Sequence, residues 1–407
     1  MSSPVLTIFY QFNPWNPTVG GIQTCIRYVL KYAPKEFQLR LVGTGSADST
    51  LPIGQWHEAE LYGRKFLFMP LIRLKNDNIR GLIPTTVKYT LALIGRDFSS
   101  DFLQFHRLEP TIASSRWSGT RIFYIHNDIA QAVKGASKEG GILWRRFPWA
   151  YFALERNSVG QFDRILSCNT KSAESYQQRY PTIAERVSYL PNTVDSDLFY
   201  PLSAKERQQK RMQLAMEMGL VPETQFVLFA GRLHPQKQPL LLIRSFAALK
   251  QPNTHLLIVG QGELEKDVRA EIVQLGLSDR VTLLEPLQQS QLADLYRVCS
   301  IFVLTSAYEG LCRGSIEALA CGTPVVTTRA GETPNFLTAD SGIVCEEQTP
   351  VAIAQAWKQV LHNPTDYPSD ACVRVVKPYD AHSVVNNIYT ELLEGWQHQT
   401  QLLSPSL

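Results

Sequence analysis

Short apolar runs, each followed by an amphipathic stretch, recur along this 407-residue chain. That alternation is the signature of strands joined by crossover helices, and it commits the fold to α/β with parallel sheets. In the first half, Leu6 to Tyr10, Gln38 to Val42, Phe102 to Phe105, Ile122 to Ile125 and Arg164 to Ser167 read as strands, with Ile22 to Tyr32 as the first helix. In the second half the strands are Phe226 to Ala230, His255 to Val259, Val281 to Leu284, Ile301 to Leu304 and Val325 to Thr328. Helices are expected at 239–250, 263–275, 289–298, 314–320 and 350–362. One hydrophobic core stops growing at about 250 to 300 residues, so the chain must divide. Turn chemistry at Pro191-Asn192-Thr193 and Tyr200-Pro201 marks the join, and the polar helix Ala204 to Met218 opens the second part. We therefore expect doubly wound domains over 1–195 and 196–380, with a last helix, His382 to His398, and a tail in 381–407. Open α/β sheets bind ligands at the carboxyl ends of their strands, so two such sheets facing each other would form a cleft.

Charge divides along the same line. Residues 1–190 hold 23 Lys and Arg against 14 Asp and Glu, or +9, and 191–407 hold 17 against 23, or −6, which together give the net +3 of the chain. The basic half is suited to an anionic partner, a membrane surface or a charged acceptor; nucleic acid is not expected once the second half is taken as the site of the chemistry. Seven cysteines without a C-x-x-C pair argue against a disulfide framework or a zinc site and for a reducing compartment. The first residues lack the pattern of a secretory leader, and no apolar run approaches the roughly 18 to 20 residues of a membrane span. A cytoplasmic protein, at most peripheral to the inner face of a membrane, is the expectation.

Three constellations can carry chemistry. The densest is Tyr308 to Val326, in which a buried strand passes through a loop holding Glu309 and Gly310 into a helix bearing Glu317. Its two carboxylates, eight residues apart, are expected at different depths of one pocket, with the N–H groups of the helix start open to an anion. A capping role for Glu309 is the plainer alternative. In the second, Gly231 and Arg232 close a strand and Lys237 opens the following helix. Both cations can converge above the sheet on a diphosphate, Arg as a fork and Lys as a point charge. The third is Gly20-Gly21 after the first strand, where the backbone can approach a phosphate.

In this order, Gly20-Gly21, G-R-x4-K at 231–237, E-x7-E at 309–317 and "EALACGTPVV" resemble the retaining GT-B glycosyltransferases of family four. "LPNTVDSDLFYP" (190–201), "IVGQGELE" (258–265) and residues 279–310 are similar too. The resemblance implies two Rossmann-like domains facing across a cleft, with the last helix crossing back to the first. It implies a nucleotide diphosphate sugar, UDP- or GDP-linked, as co-substrate, a glycan, lipid-linked or small-molecule hydroxyl as acceptor, and no cofactor or metal. Arg232 and Lys237 would neutralise the leaving diphosphate. Glu309 would bond the transferred sugar beside the backbone of Gly310, Leu311 and Cys312, and Glu317 would take the ribose hydroxyls. Leu284, Glu285 and Leu287 would lie on the base side, and His126 would face the sugar from the first domain, with Asp128 as its rival and His106 less favoured.

The chain departs from the family at Gln238, where a glycine is usual, at Leu311-Cys312 in place of Phe-Gly, and at Glu285. Asp195-x-Asp197 mimics a metal motif of another transferase class but lies in a linker, where a turn or cap is the expected role. Gly260-x-Gly262 begins a dinucleotide fingerprint whose third glycine position holds Glu265, so a dehydrogenase fits poorly. Ile142 to Phe152 mixes aromatics with Arg145 and Arg146, which reads either as a core-facing helix or as an interfacial membrane segment. Beside a transferase, a non-catalytic binding protein of the same fold and a GT-B phosphorylase stay open.

Overall fold

The computed structural model describes residues 3–15, 20–74, 84–126 and 147–403. They form two compact units, one of residues up to 191 together with the segment from 381 onward, the other of residues 192–380.

The first unit is built on an eight-stranded sheet: β1 Val5–Phe9, β2 Gln38–Ser46, β3 His57–Leu61, β4 Arg64–Leu74, β5 Phe102–Phe105, β6 Thr120–Ile125, β7 Arg164–Ser167 and β8 Val187–Tyr189. Their spatial order is β3-β4-β2-β1-β5-β6-β7-β8, parallel except for the β3/β4 hairpin. Alternate residues of each strand enter opposite layers. Leu6, Ile8, Leu39, Leu41, Ile122 and Tyr124 meet the helix Gly21–Lys31 and the long helix Ala381–Leu403 on one face. Phe9, Val42, Phe105 and Phe123 pack with Tyr89, Leu93 and Trp117 on the other.

In the second unit β9 Gln225–Ala230, β10 Thr254–Val259, β11 Val281–Leu284, β12 Ile301–Leu304, β13 Val325–Thr328 and β14 Gly342–Cys345 pair in the order β11-β10-β9-β12-β13-β14, all parallel. This is the 3-2-1-4-5-6 order of dinucleotide-binding sheets. Val227, Phe229, Ile258 and Val303 face the helices Pro239–Leu249 and Pro350–His362, where Trp357 is fully buried. Phe226, Leu228 and Phe302 face Gln289–Val298 and Arg313–Ala320. The polar helix Ala204–Glu217 starts with a reciprocal cap between Ser203 and Glu206.

The order fixes where a ligand can sit. Each sheet reverses its direction of winding once, between β1 and β5 in the first unit and between β9 and β12 in the second, and the crevice opens at the carboxyl ends of those strands.

Several elements differ from the sequence reading. Between the expected strands at 38–42 and 102–105, where the sequence reading placed no element, lie the end of β2, the β3/β4 hairpin and the helix Thr85–Leu93. The hairpin turns on Tyr62 and Gly63, both with positive φ (53° and 73°), a mirror-image turn in which tyrosine stands where asparagine is usual. β8 and β14, of three and four residues, are too short to show a period. Residues 142–146, with Arg145 and Arg146, lie outside the described residues, as does Asp128. The helix Pro148–Ser158 follows them with Tyr151 buried but Trp149 72% exposed, so neither reading of 142–152 covers it alone. Among the described residues no helix is long and apolar enough to cross a membrane.

Candidate functional site

Two loops at the switch point of the second sheet are tied together. The loop after β9 turns through Pro235–Lys237 and hands its polar backbone to the loop after β12. Ala307 N–H donates to the Gln236 carbonyl (2.8 Å), the Gln236 side chain donates to the Tyr308 carbonyl (3.0 Å), and Thr305 Oγ1 donates to the Lys237 carbonyl (2.9 Å). These bonds bring residues 72 apart in sequence into one cluster, where Lys237 Nζ meets Glu309 Oε1 at 2.5 Å and stands 4.0 Å from Cys312 Sγ. Lys237 and Glu309 side chains are 17% and 9% exposed. Burial alone would lower the lysine pKa, but the Cys312 thiol and the hydrogen-bonded Glu309 carboxylate outweigh it and hold the ammonium above its ordinary value.

The structure thus pairs the lysine and glutamate that sequence assigned to separate moieties of one ligand. Arg232 is exposed at the end of β9, near enough to oppose the Lys237 charge. Gly231 abuts Lys237, whose Cε lies 3.6 Å from where its Cβ would stand. Gln238 takes a left-handed conformation (φ 47°, ψ 55°), which explains why glycine suits that place and why the helix Pro239–Leu249 starts sharply after it.

The Glu309-Gly310 loop rests on residues without a sequence signal. Glu332 N–H donates to the Gly310 carbonyl (2.9 Å), and Gly331 has φ +70° because a Cβ there would lie 2.1 Å from the Gly310 oxygen. Asn192 of the 190–201 motif donates its side-chain N–H to the Leu311 carbonyl (2.8 Å). Helix Arg313–Ala320 begins at Cys312 without a side-chain cap, and Ser315 N–H (3.2 Å) and Oγ (2.7 Å) both donate to the Cys312 carbonyl.

Glu317, one turn further in, is buried, with Tyr296 Oη donating to Oε2 (3.4 Å) and Arg313 Nε 3.7 Å from Oε1. Burial pushes its carboxyl pKa up against the opposing pull of Arg313 and Tyr296. The Glu309 and Glu317 side chains are equally shielded, each 9% exposed. Leu284, exposed Glu285 and Leu287 follow β11 at the same edge of the sheet, where the Leu284 carbonyl receives Gly260 N–H (3.0 Å). Asp195 closes a turn by accepting Asp197 N–H (3.1 Å), and Ser196 donates to Asp380 (2.7 Å).

At the switch point of the first sheet, Gly20 precedes the helix Gly21–Lys31 with an extended backbone (φ −106°) and no side-chain cap. His126 follows β6 and is bonded to His106, which follows β5 (2.8 Å). Arg107 beside it lies against Tyr10, Glu109 and Tyr151; nothing in the sequence distinguishes this arginine from a solvated one.

The solved structures similar in fold include GT-B glycosyltransferases. Sucrose-phosphate synthase of Thermosynechococcus elongatus superimposes with a TM-score of 0.77 at 18% identity over 99% of this chain and 100% of that one. Anabaena Alr3699/HepE, solved in complex with UDP-glucose, does so with a TM-score of 0.70 at 18% identity over 96% and 100%. Residues 215–374 match the model of the family glycosyl transferases group 1. Among curated proteins, the D-inositol 3-phosphate glycosyltransferase of Streptomyces bingchenggensis is 29% identical over 271 residues, 63% of this chain and 54% of its own. The chain spans about half the length of the curated relatives it matches.

Proposed function

We propose that the protein is a retaining glycosyltransferase that moves a sugar from a nucleoside diphosphate to an acceptor hydroxyl. The observation that carries this reading is the partly buried Lys237–Glu309 pair, followed by buried Glu317 on the next helix, at the switch point of a 3-2-1-4-5-6 sheet. An ammonium held above its ordinary pKa is charged at every working pH, and together with Arg232 it offsets the charge that grows on a departing diphosphate. Glu309 accepts hydroxyl protons of the transferred sugar, beside the backbone of Gly310, Leu311 and Cys312. Glu317 accepts those of the ribose, with Leu284, Glu285 and Leu287 along the base. In the first unit, His126, Gly20 and Gly21 at the switch point of its own sheet are substrate contacts.

In the reaction the bond from the anomeric carbon to the β-phosphate oxygen breaks and a bond to the acceptor oxygen forms on the same face. The acceptor proton passes to the leaving phosphate oxygen, and the products are a glycoside and a nucleoside diphosphate. No protein nucleophile is needed, and the two cations do the work that a metal does elsewhere. EDTA should leave the rate unchanged.

UDP-sugars are the first choice of donor, as HepE was solved with UDP-glucose, and GDP-sugars the second. A relative named for D-inositol 3-phosphate and the +9 first half both favour an anionic small or lipid-linked acceptor over a neutral one. The exposed Leu91, Ile94, Ile112 and Trp149 of the first unit, with exposed Lys88, Arg116 and Arg156, favour a peripheral site on an anionic cytoplasmic membrane face. Binding of the full chain to phosphatidylserine vesicles that weakens with salt would support this, and equal indifference to neutral and anionic vesicles would refute it.

The test of the reaction is a thermal-shift panel of UDP, GDP, ADP and their sugars, followed by hydrolysis of whichever donor binds. A ligand at a hundredfold excess over its Kd stabilises the fold by roughly 2.7 kcal/mol. Glu309→Ala and Lys237→Ala should reduce donor turnover by at least a hundredfold. Binding without turnover would favour a non-catalytic protein of this fold, and phosphate-dependent cleavage of an oligosaccharide without nucleotide would favour a phosphorylase.

A further inference from the structure

A second polar chain ends at the carboxyl edge of the first unit's sheet. Strand periodicity places Gln104 and His106 on one face of β5, and the register Gln104↔Ile122 puts Tyr124 and then His126 beside them on the same face of β6. That face is otherwise apolar, and Gln104 and His106 are each 2% exposed. Gln104 Nε2 lies 2.7 Å from His106 Nε2, and His106 Nδ1 lies 2.8 Å from His126 Nε2. The two imidazole planes are 20° apart with centroids at 5.1 Å, which is an end-on hydrogen bond between nearly coplanar rings and not a face-to-face stack. Tyr124 covers the His106 ring at 4.9 Å, and Tyr10, from the end of β1, meets it edge-on at 6.0 Å.

The direction of this chain follows from its first member. An amide nitrogen only donates, whereas each nitrogen of a neutral imidazole either donates or accepts. His106 Nε2 must therefore accept from Gln104, which leaves its proton on Nδ1. That N–H donates to His126 Nε2, and the proton of His126 is left on Nδ1. We infer that Gln104 and His106 are positioning residues that lock His126 as the Nδ1–H tautomer, so that it meets an oxygen of the bound substrate as a hydrogen-bond donor and never as a base. Burial, and then the neighbouring His126, hold the His106 pKa well below its ordinary value, so the doubly protonated ring that would break this order is not populated. The inference rests on the reading of His126 as a substrate contact. It adds what the contact offers: a donor suits a sugar hydroxyl oxygen or a phosphate oxygen, in a reaction whose acceptor proton leaves on the phosphate.

The tautomers can be read in the full-length, ligand-free protein by long-range proton–nitrogen correlation with 15N-histidine. Both His106 and His126 should show a protonated Nδ1 and a bare Nε2. A protonated Nε2 on either ring would overturn the inference. Gln104→Glu replaces the donor with an acceptor and should invert both rings. With UDP-glucose it should lower kcat for donor hydrolysis by at least tenfold while KM stays within about twofold. Inverted rings with unchanged kcat would remove the positioning role. Full turnover by His126→Ala would sink the reading of His126 as a substrate contact, whereas the wild-type tautomers answer for the polarity of the chain by themselves.

Discussion

Lys237 and Glu309 are each largely shielded by the loop that brings the other, so either charge left alone is costly. Lys237→Met should cost about 3 kcal/mol in urea unfolding, because it leaves a carboxylate buried without its partner, and adding Glu309→Gln should recover most of that loss. A single variant as stable as the wild type would mean that the pair carries no such coupling. At the neighbouring Gln238, a left-handed backbone on a residue with a Cβ is strained. Gln238→Gly should raise stability by up to about 1 kcal/mol, the relief of strain being partly offset by a freer unfolded chain. At this scale the sequence was informative where a charge followed a buried run, as for Arg232 after β9 and Glu309 after β12. It was silent on Gln104, Gly331 and Glu332, whose roles come from partners across a strand or loop and from no local pattern.

The elements of the second unit were legible because β9, β10, β12 and β13 are buried on both faces and read as unbroken apolar runs. The β3/β4 hairpin was not, since its outer strand alternates weakly and its Tyr62-Gly63 turn lacks the usual signal. The glycines of 260–262 find their explanation in how two strand ends approach. A Cβ on Gly260 (φ 137°) would lie 2.1 Å from the Gly231 oxygen, and one on Gly262 would lie 2.3 Å from the Leu233 oxygen. Gly260→Ala should therefore cost at least about 2 kcal/mol and, by displacing Gly231 and Arg232, weaken nucleotide binding as well. A thermal melt with and without UDP reads both effects.

Between β10 and β11, His255 Nε2 bonds Thr282 Oγ1 (2.8 Å), and burial, then Arg280, depress its pKa to about 4. The folded ring stays neutral while the unfolded chain takes up a proton below its ordinary value near 6.5, so stability present above pH 6.5 is lost as the pH falls towards about 4. With allowance for solvent at the ring edge, the loss is about 2 kcal/mol, and His255→Gln should flatten this part of the pH profile.

Across the whole molecule, the chain closes on its beginning. The helix Ala381–Leu403 lays Val385, Ile388, Tyr389 and Leu392 into the layer formed by β1, β2 and the helix Gly21–Lys31. Tyr389 Oη donates to the Val29 carbonyl (3.0 Å) and Trp396 Nε1 to Asp101 (2.9 Å). Tyr389→Ala should cost about 3 kcal/mol through the cavity and the lost bond, measured as a lower midpoint in urea. The first unit is thus assembled from both ends of the sequence, which is why its fold was less legible than that of the second, whose strands and helices follow one another without interruption. The +9 of residues 1–190 was visible from composition, but the apolar side chains exposed beside it were not, because exposure depends on which helix face the sheet covers.

The central claim is that the switch point of the second sheet holds a nucleoside diphosphate through Glu317 and the cations above it. Calorimetric titration of UDP into the wild-type and Glu317→Ala proteins tests it most directly. Binding to the wild type, weakened at least tenfold in a variant that melts at the same temperature, is the predicted result. Equal affinity in the two proteins, or no heat from UDP, GDP or ADP with the wild type, would contradict it.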